Sequence, residues 1–216
     1  MQAQGLVAAR AGRPLWGPLS LNLEAGQLLH VQGPNGCGKT TLLRTLAGLR
    51  PPALGQVRLQ RPAAGLWWLG HTLPLADALD ARRNLHQWLM LAGEPDGGTL
   101  PARIDAQLAQ LQVPPAQALR TLSAGQRRKV ALAVLALLPR AVWLLDEPFD
   151  ALDSAGCDWL AALCQAQLRR GGAVVLSSHQ ALPAALSGAQ VLRLAAAAPP
   201  PARAPSSSRS AGLAWA

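Results

Sequence analysis

The stretch from Gly33 to Thr41 reads GPNGCGKTT. Its glycines, lysine and threonine fit the spacing G-x-x-x-x-G-K-[ST], whose chemistry is the gripping of a nucleotide's phosphates. Glycines at 33, 36 and 38 let the backbone curl so that several N–H groups point at one anion, and a helix starting there adds its positive end. Lys39 is expected to reach the β- and γ-phosphates, and the Thr40 hydroxyl to ligate Mg²⁺. The plain alternative is a glycine-rich turn without a ligand, which an apolar strand before the turn and a helix after it argue against.

Three further segments bear on the same chemistry. Asp146 and Glu147 follow the apolar run Val142 to Leu145, so both carboxylates are expected at the carboxyl edge of a sheet, where ligands bind in open α/β folds. Asp146 is the candidate metal partner, through water, and Glu147 the candidate general base that orients the attacking water. Solvated acids at a strand end are the alternative, weakened by the phosphate loop upstream. Leu122, Ser123, Ala124, Gly125 and Gln126 spell LSAGQ, which offers a hydroxyl, small residues permitting close backbone approach and a helix N-terminus, the parts of a second anion-binding surface. One chain needs one phosphate loop. The second surface makes sense if it covers the γ-phosphate held by another copy of the chain. His179 follows Ser177 and Ser178, and on its plain reading is a polar residue ending a strand.

The elements that must position these residues alternate. Short strands are expected around Gly5 to Ala9 and Leu19 to Glu24, with a turn at Ala25-Gly26. A buried strand, Gln27 to Gln32, then leads into the glycine loop, and TTLLRTLAG is helical and closes at Gly48. Leu66 to Leu69 reads as a strand leading to Gly70-His71. From Asp80 to about Pro115 the chain reads as helical, broken at Glu94 to Gly98, in the manner of an inserted subdomain. Ser123 can cap a helix running to Leu138, a strand spans Ala141 to Leu145, and a helix from Ser154 stops at Gly171-Gly172. Ala173 to Ser177 is the expected last core strand. This alternation predicts an α/β fold with a mostly parallel sheet and helices on both faces. From Ala195 onward the chain is low-complexity, rich in proline, serine and alanine, and is expected to be disordered.

Size and composition fit that reading. At 216 residues the chain is long enough for one domain with a substantial core. The longest apolar run, Val130 to Leu138, is far short of the ~20 residues of a membrane span, and MQAQGLVAAR has no secretory pattern. The expectation is a cytosolic protein, or one attached to a membrane through a partner. The three cysteines have no metal spacing and read as small packing residues, a reactive Cys37 near the nucleotide being the alternative. The net charge of +9 comes almost wholly from scattered arginines. With no nucleic-acid motif among them, nucleic acid is not an expected partner.

Taken in order, these segments resemble the ATP-binding cassette family up to about Leu194. The resemblance implies a P-loop cassette over residues 1–194, with an N-terminal antiparallel region, a helical subdomain inserted at about 75–138, and a tail at 195–216. It implies ATP and Mg²⁺ as ligands. ATP contacts fall on Gly33, Pro34, Asn35, Gly36, Cys37, Gly38, Lys39, Thr40 and Thr41 (Walker A), and the metal site on Thr40 and Asp146. Val142 to Glu147 is the Walker B segment and LSAGQ the signature, with Ala124 where glycine is usual. Ala151-Leu152-Asp153 is similar to the dimer-contacting D-loop, and His179 to the switch histidine. Two positions depart from the family's pattern. His71 stands where the Q-loop glutamine is expected. The adenine-stacking position falls on Arg10, with Trp16 as the alternative and a plain surface arginine as the third reading.

The Trp-Leu-Gly-His segment, Arg10, LSAGQ, LDEPF, ALD and SSHQAL together resemble the haem-exporter ATPases of bacterial cytochrome c maturation. That resemblance implies a peripheral subunit on the cytoplasmic face of the inner membrane, paired with permease subunits and with a second copy of itself. It would couple ATP hydrolysis to haem export or to release of a haem-loaded chaperone. His30, His71, His86 and His179 form no evident haem-ligand pair. The alternatives are a cassette of another exporter or a non-transport cassette, which usually carries coiled-coil, zinc or second-cassette additions that this sequence lacks.

Overall fold

The computed structural model describes residues 1–10, 13–59, 65–95 and 98–195, the side chains of Arg10 and Arg13 apart. The low-complexity segment from residue 196 lies outside the described residues. Two sheets share the chain. β1 (Gln2–Arg10), β2 (Arg13–Asn22) and β4 (Leu54–Arg58) form an antiparallel sheet in the order β2-β1-β4. β3 (Leu28–Gln32), β5 (Leu66–Leu69), β6 (Val142–Leu145), β7 (Ala173–Ser177) and β8 (Gln190–Arg193) form a five-stranded sheet in the order β5-β6-β7-β3-β8, every pair parallel.

Alternation along the central strands assigns each side chain to one of two cores. Val31, Leu144, Ala173 and Val175 face α1 (Lys39–Leu46), whose Leu42, Leu43 and Leu46 fill the space beneath the antiparallel sheet. Trp143, Leu145, Val174 and Leu176 face the opposite side. There they meet α4 (Ala124–Leu137) through Ala131, Leu132 and Leu135, and α5 (Ser154–Arg169) through Leu160, Ala161 and Cys164. Burial pushes the Cys164 thiol up to about 12. Cys37 is also buried and Cys157 partly so, and all three are free thiols.

α2 (Ala81–Leu91) and α3 (Leu100–Gln110) form the inserted helical unit. Ala81, Leu85 and Leu89 repeat every four residues, as do Leu100, Ile104 and Leu108, so each helix presents one apolar stripe. Both stripes close on Val130, Ala133, Val134 and Leu137 of α4. α4 thus has apolar neighbours on both sides, which explains why AGQRRKVALAVLAL shows no single hydrophobic face.

Several boundaries differ from the sequence expectation. The strand expected over Leu19 to Glu24 begins at Arg13 and ends at Asn22. β4 was not expected at all, and β8 follows the strand read as the last. Both are edge strands whose side chains are largely exposed, so neither carries an alternating apolar pattern. Because the five central strands are parallel, the loops after β3, β5, β6 and β7 all leave from one edge. That edge carries Gly33, His71, Asp146 and His179.

Candidate active site

The turn after β3 uses all three glycines at positive φ, which other residues rarely adopt, with φ of 155° at Gly33, 80° at Gly36 and 100° at Gly38. Gly38 precedes α1 without any side-chain cap, which leaves the first N–H groups of that helix for an anion. A Cβ on Gly38 would meet the Trp16 indole nitrogen at 2.5 Å. That indole N–H donates to the Gly38 carbonyl at 3.3 Å, and Trp16 is buried. Trp16 thus packs against the loop through Gly38. The Arg10 side chain lies outside the described residues.

Lys39 and Thr40, on the first turn of α1, point back toward the acidic pair. Lys39 Nζ donates to the Gly33 carbonyl at 2.9 Å and lies 3.6 Å from Glu147 Oε1. Thr40 Oγ1 donates to Asp146 Oδ2 at 2.7 Å. The other oxygen of Asp146 accepts from Ser177 Oγ at 2.7 Å, and Ser177 Oγ in turn accepts the Glu147 backbone N–H at 2.9 Å. Asp146 is buried, whereas Glu147 keeps partial access to the cleft. Glu147 Oε2 accepts the His179 backbone N–H at 3.1 Å and lies 3.2 Å from His179 Nδ1. The structure thus gathers Lys39, Thr40, Asp146, Glu147 and His179 around one loop. The cleft above it, about 350 Å³, is lined by Pro34, Asn35, Gly36, Gly38, Thr41 and His71 among others. Cys37 is turned inward and is not part of that lining.

Buried groups behind this cleft were not singled out from sequence. The Arg128 guanidinium sits beneath the acidic pair, with burial lowering its pKa while Asp150, Asp146 and Glu147 oppose that. His30 stands in β3 with its Nε2 at 3.3 Å from the Ser178 carbonyl, one residue before His179. A carbonyl only accepts, so this ring nitrogen carries the proton, and desolvation holds the His30 pKa below its ordinary value. The signals were there to be read. Arg127, Arg128 and Lys129 stand together in the first half of a helix whose second half is apolar, and Ser177-Ser178 ends an otherwise apolar strand.

The signature residues occupy a different surface. Ser123 caps α4, accepting from the Gln126 N–H at 3.1 Å while Gln126 Oε1 accepts the Ser123 N–H at 3.0 Å. Leu122 is buried in the helical unit, whereas Ser123 and Ala124 are exposed. A Cβ on Gly125 would meet the Ala151 carbonyl oxygen at 2.6 Å, so glycine is what lets α4 approach that loop. None of the five signature residues lines the phosphate-loop cleft; Leu122 and Ala124 border a second one with His71, Asp150 and Ala151. His71 is exposed and borders both clefts. Asp153 caps α5 by accepting from the Gly156 N–H at 2.8 Å and pairs with Lys129 at 3.0 Å. That ammonium's hydrogen bond and the cap hold its carboxyl below the usual range.

A cation, free helix N–H groups, a hydroxyl beside a carboxylate and a second carboxylate at the cleft can bind a phosphate chain and direct water at its end. Known proteins agree. The family described as ABC transporter matches residues 17–150. The chain is 42% identical over 195 residues to the cytochrome c biogenesis ATP-binding export protein CcmA of Pseudomonas syringae pv. syringae, covering 84% of this chain and 89% of that one. It is 41% identical over 208 residues to the protein of the same name from Pseudomonas putida, covering 90% and 96%. Among solved structures, a Pyrococcus furiosus ABC transporter ATP-binding protein superposes with a TM-score of 0.75 at 24% identity, covering 89% of this chain and 96% of that one. A dimeric bacterial ABC transporter cassette gives 0.75 at 21%, covering 90% and 94%. The chain belongs to the ABC transporter family, as one of its ATP-hydrolysing cassettes and of the CcmA type.

Proposed function

We propose that this cassette is the ATP-hydrolysing subunit of an export complex for cytochrome c biogenesis, coupling hydrolysis to haem export or to release of a haem-loaded chaperone. The observation that carries the biological part is the likeness, over most of both chains, to proteins named as cytochrome c biogenesis export ATPases. Residues 1–194 act as one ATP-binding unit with the helical subdomain at about 75–138 inside it, and 195–216 as an appended tail. No helix among the described residues is long and apolar enough to cross a membrane. On this reading membrane-embedded permease subunits supply the path, and the cassette works from the cytoplasmic face of the inner membrane.

Within the site, Gly33 to Thr41 wraps the phosphates, and Lys39 neutralises the β- and γ-groups. Thr40 Oγ1 and Asp146, 2.7 Å apart, are the hard oxygen donors that suit Mg²⁺. They would hold it, directly and through water, and bound there it spreads the phosphate charge. Glu147 orients the attacking water and accepts its proton. His179, hydrogen-bonded to Glu147, senses the γ-phosphate. Ser123 and Gly125 of a second copy close the site, and Asp153 and its loop form part of that contact. His71 reports to the permease.

Two measurements test this. In a host strain lacking the chain, the wild type should restore haem-stained c-type cytochromes and Glu147→Gln should not. Normal cytochrome c maturation without the chain would refute the biological role. A pull-down from detergent-solubilised membranes should recover permease subunits together with haem.

A further inference from the structure

Glu147 is one of three described non-glycine residues with positive φ, at 48°. That conformation carries a steric cost for any residue with a Cβ and persists where the surroundings over-determine it. Its N–H is held by Ser177. Its carbonyl is held from the other side by Arg128, whose Nη2 donates to the Glu147 carbonyl at 2.6 Å and to that of Asp146 at 3.0 Å. Arg128 Nε reaches the Pro148 carbonyl at 3.3 Å, and Nη1 the Gly70 carbonyl at 3.4 Å. One buried guanidinium thus spans three consecutive carbonyls of the catalytic loop and the residue that precedes His71.

This is an uncommon use of a buried charge. A cation taken out of water is costly unless compensated, and here every hydrogen-bond partner is a neutral carbonyl. Compensation comes through space, from Asp150, Asp146 and Glu147. The planar fork suits the task, since its N–H groups leave in fixed directions and a lysine ammonium could satisfy only part of the set. We propose that Arg128 is a positioning residue for ATP hydrolysis, holding the Glu147 backbone in its left-handed conformation and tying that loop to Gly70 at the head of the His71 segment. The proposal rests on Glu147 being the base.

The test is steady-state ATPase of the full chain carrying Arg128→Lys, which keeps the charge and loses the fork. A misplacement of the order of 1 Å costs about 100-fold in rate. The expected result is a kcat lower by roughly 30- to 100-fold with KM for ATP within about threefold of wild type. A purely structural role would move ATP affinity and melting temperature with kcat. Wild-type kcat, or affinity lost in step with kcat, overturns the proposal. If Arg128→Lys does not fold, Arg128→Gln, whose amide can still donate to the Glu147 carbonyl, is measured in the same way. The double variant Arg128→Lys with Glu147→Gln, followed over hours with γ-labelled ATP, should be no slower than Glu147→Gln alone. Multiplied losses would mean that Arg128 acts by another route and would also overturn it. Glu147→Gln by itself separates the two readings. Normal turnover there removes Glu147 as base, whereas an inactive Glu147→Gln beside a wild-type Arg128→Lys leaves the base and removes the positioning role.

Discussion

Ser177→Ala removes one oxygen from a fully buried position and two hydrogen bonds with it. The hydroxyl donates to Asp146 Oδ1 at 2.7 Å and accepts the Glu147 N–H at 2.9 Å. A hydrogen bond to a charged group contributes about 1.5–3 kcal/mol, and a buried donor left unpaired costs about 1–3 kcal/mol. The two losses share an atom and overlap, so the expected destabilisation is about 2–4 kcal/mol rather than their full sum. For a chain of this size each kcal/mol moves the melting temperature by about 2–4 °C, giving a fall of roughly 5–15 °C. Urea unfolding of the purified chain reads the free energy directly, and Ser177→Thr, which keeps the hydroxyl, serves as the control. Turnover should drop as well, because the same atom sets the backbone of Glu147. A loss below about 0.5 kcal/mol, the scale of a neutral surface change, would refute the claim that this hydroxyl holds the acidic pair in place.

Other outcomes follow from the same geometry. Ser123→Arg should block hydrolysis yet leave ATP binding to the dilute monomer nearly unchanged, and mixing it with Lys39→Ala should restore activity in heterodimers that keep one composite site. Equal loss of binding and hydrolysis in the Ser123 variant would mean that the signature serves its own chain. His71→Ala should impair ATPase of the membrane complex more than that of the isolated subunit, measured side by side in detergent. Cys164 is neutral in the fold up to about pH 12, whereas an exposed thiol ionises near 9. Its contribution to stability is therefore complete below pH 9 and is lost as the pH rises from there toward 12. Cys164→Ala should flatten the alkaline limb of a stability–pH curve, and an unchanged limb would contradict the burial argument.

The motif segments were legible because phosphate chemistry restricts residue type so tightly. Gly38 has to be glycine, and the hydroxyl at Thr40 has to sit one residue after the lysine. The central strands were legible because burial on both faces leaves unbroken apolar runs, as in VWLL and AVVLS. β4 and β8 were not, since LGQVR and QVLR lie at sheet edges and their pairing depends on partners far away in sequence. Arg128 was hidden for a related reason. Local pattern places three adjacent cations, Arg127, Arg128 and Lys129, on a solvated helix face, but the carbonyl partners of Arg128 come from the loops after β5 and β6, and only the packed fold brings those together.

The way the helices begin separates two kinds of end. α2 and α5 are each capped by an aspartate, Asp80 and Asp153, whose carboxylate accepts an N–H from the first turn. Those ends already hold a carboxylate on their own N–H groups, which takes the place of a further anion. α1 begins at a bare glycine, and α4 at Ser123, whose oxygen lone pair is engaged by the Gln126 N–H. A hydroxyl used in this way as acceptor still has its proton to give. Ser123 therefore stabilises its helix without neutralising the end it caps, and an aspartate there would cap equally well while closing that end to phosphate. On the proposed pairing, the same serine can serve its own fold and its neighbour's nucleotide at once, one with its lone pair and the other with its proton.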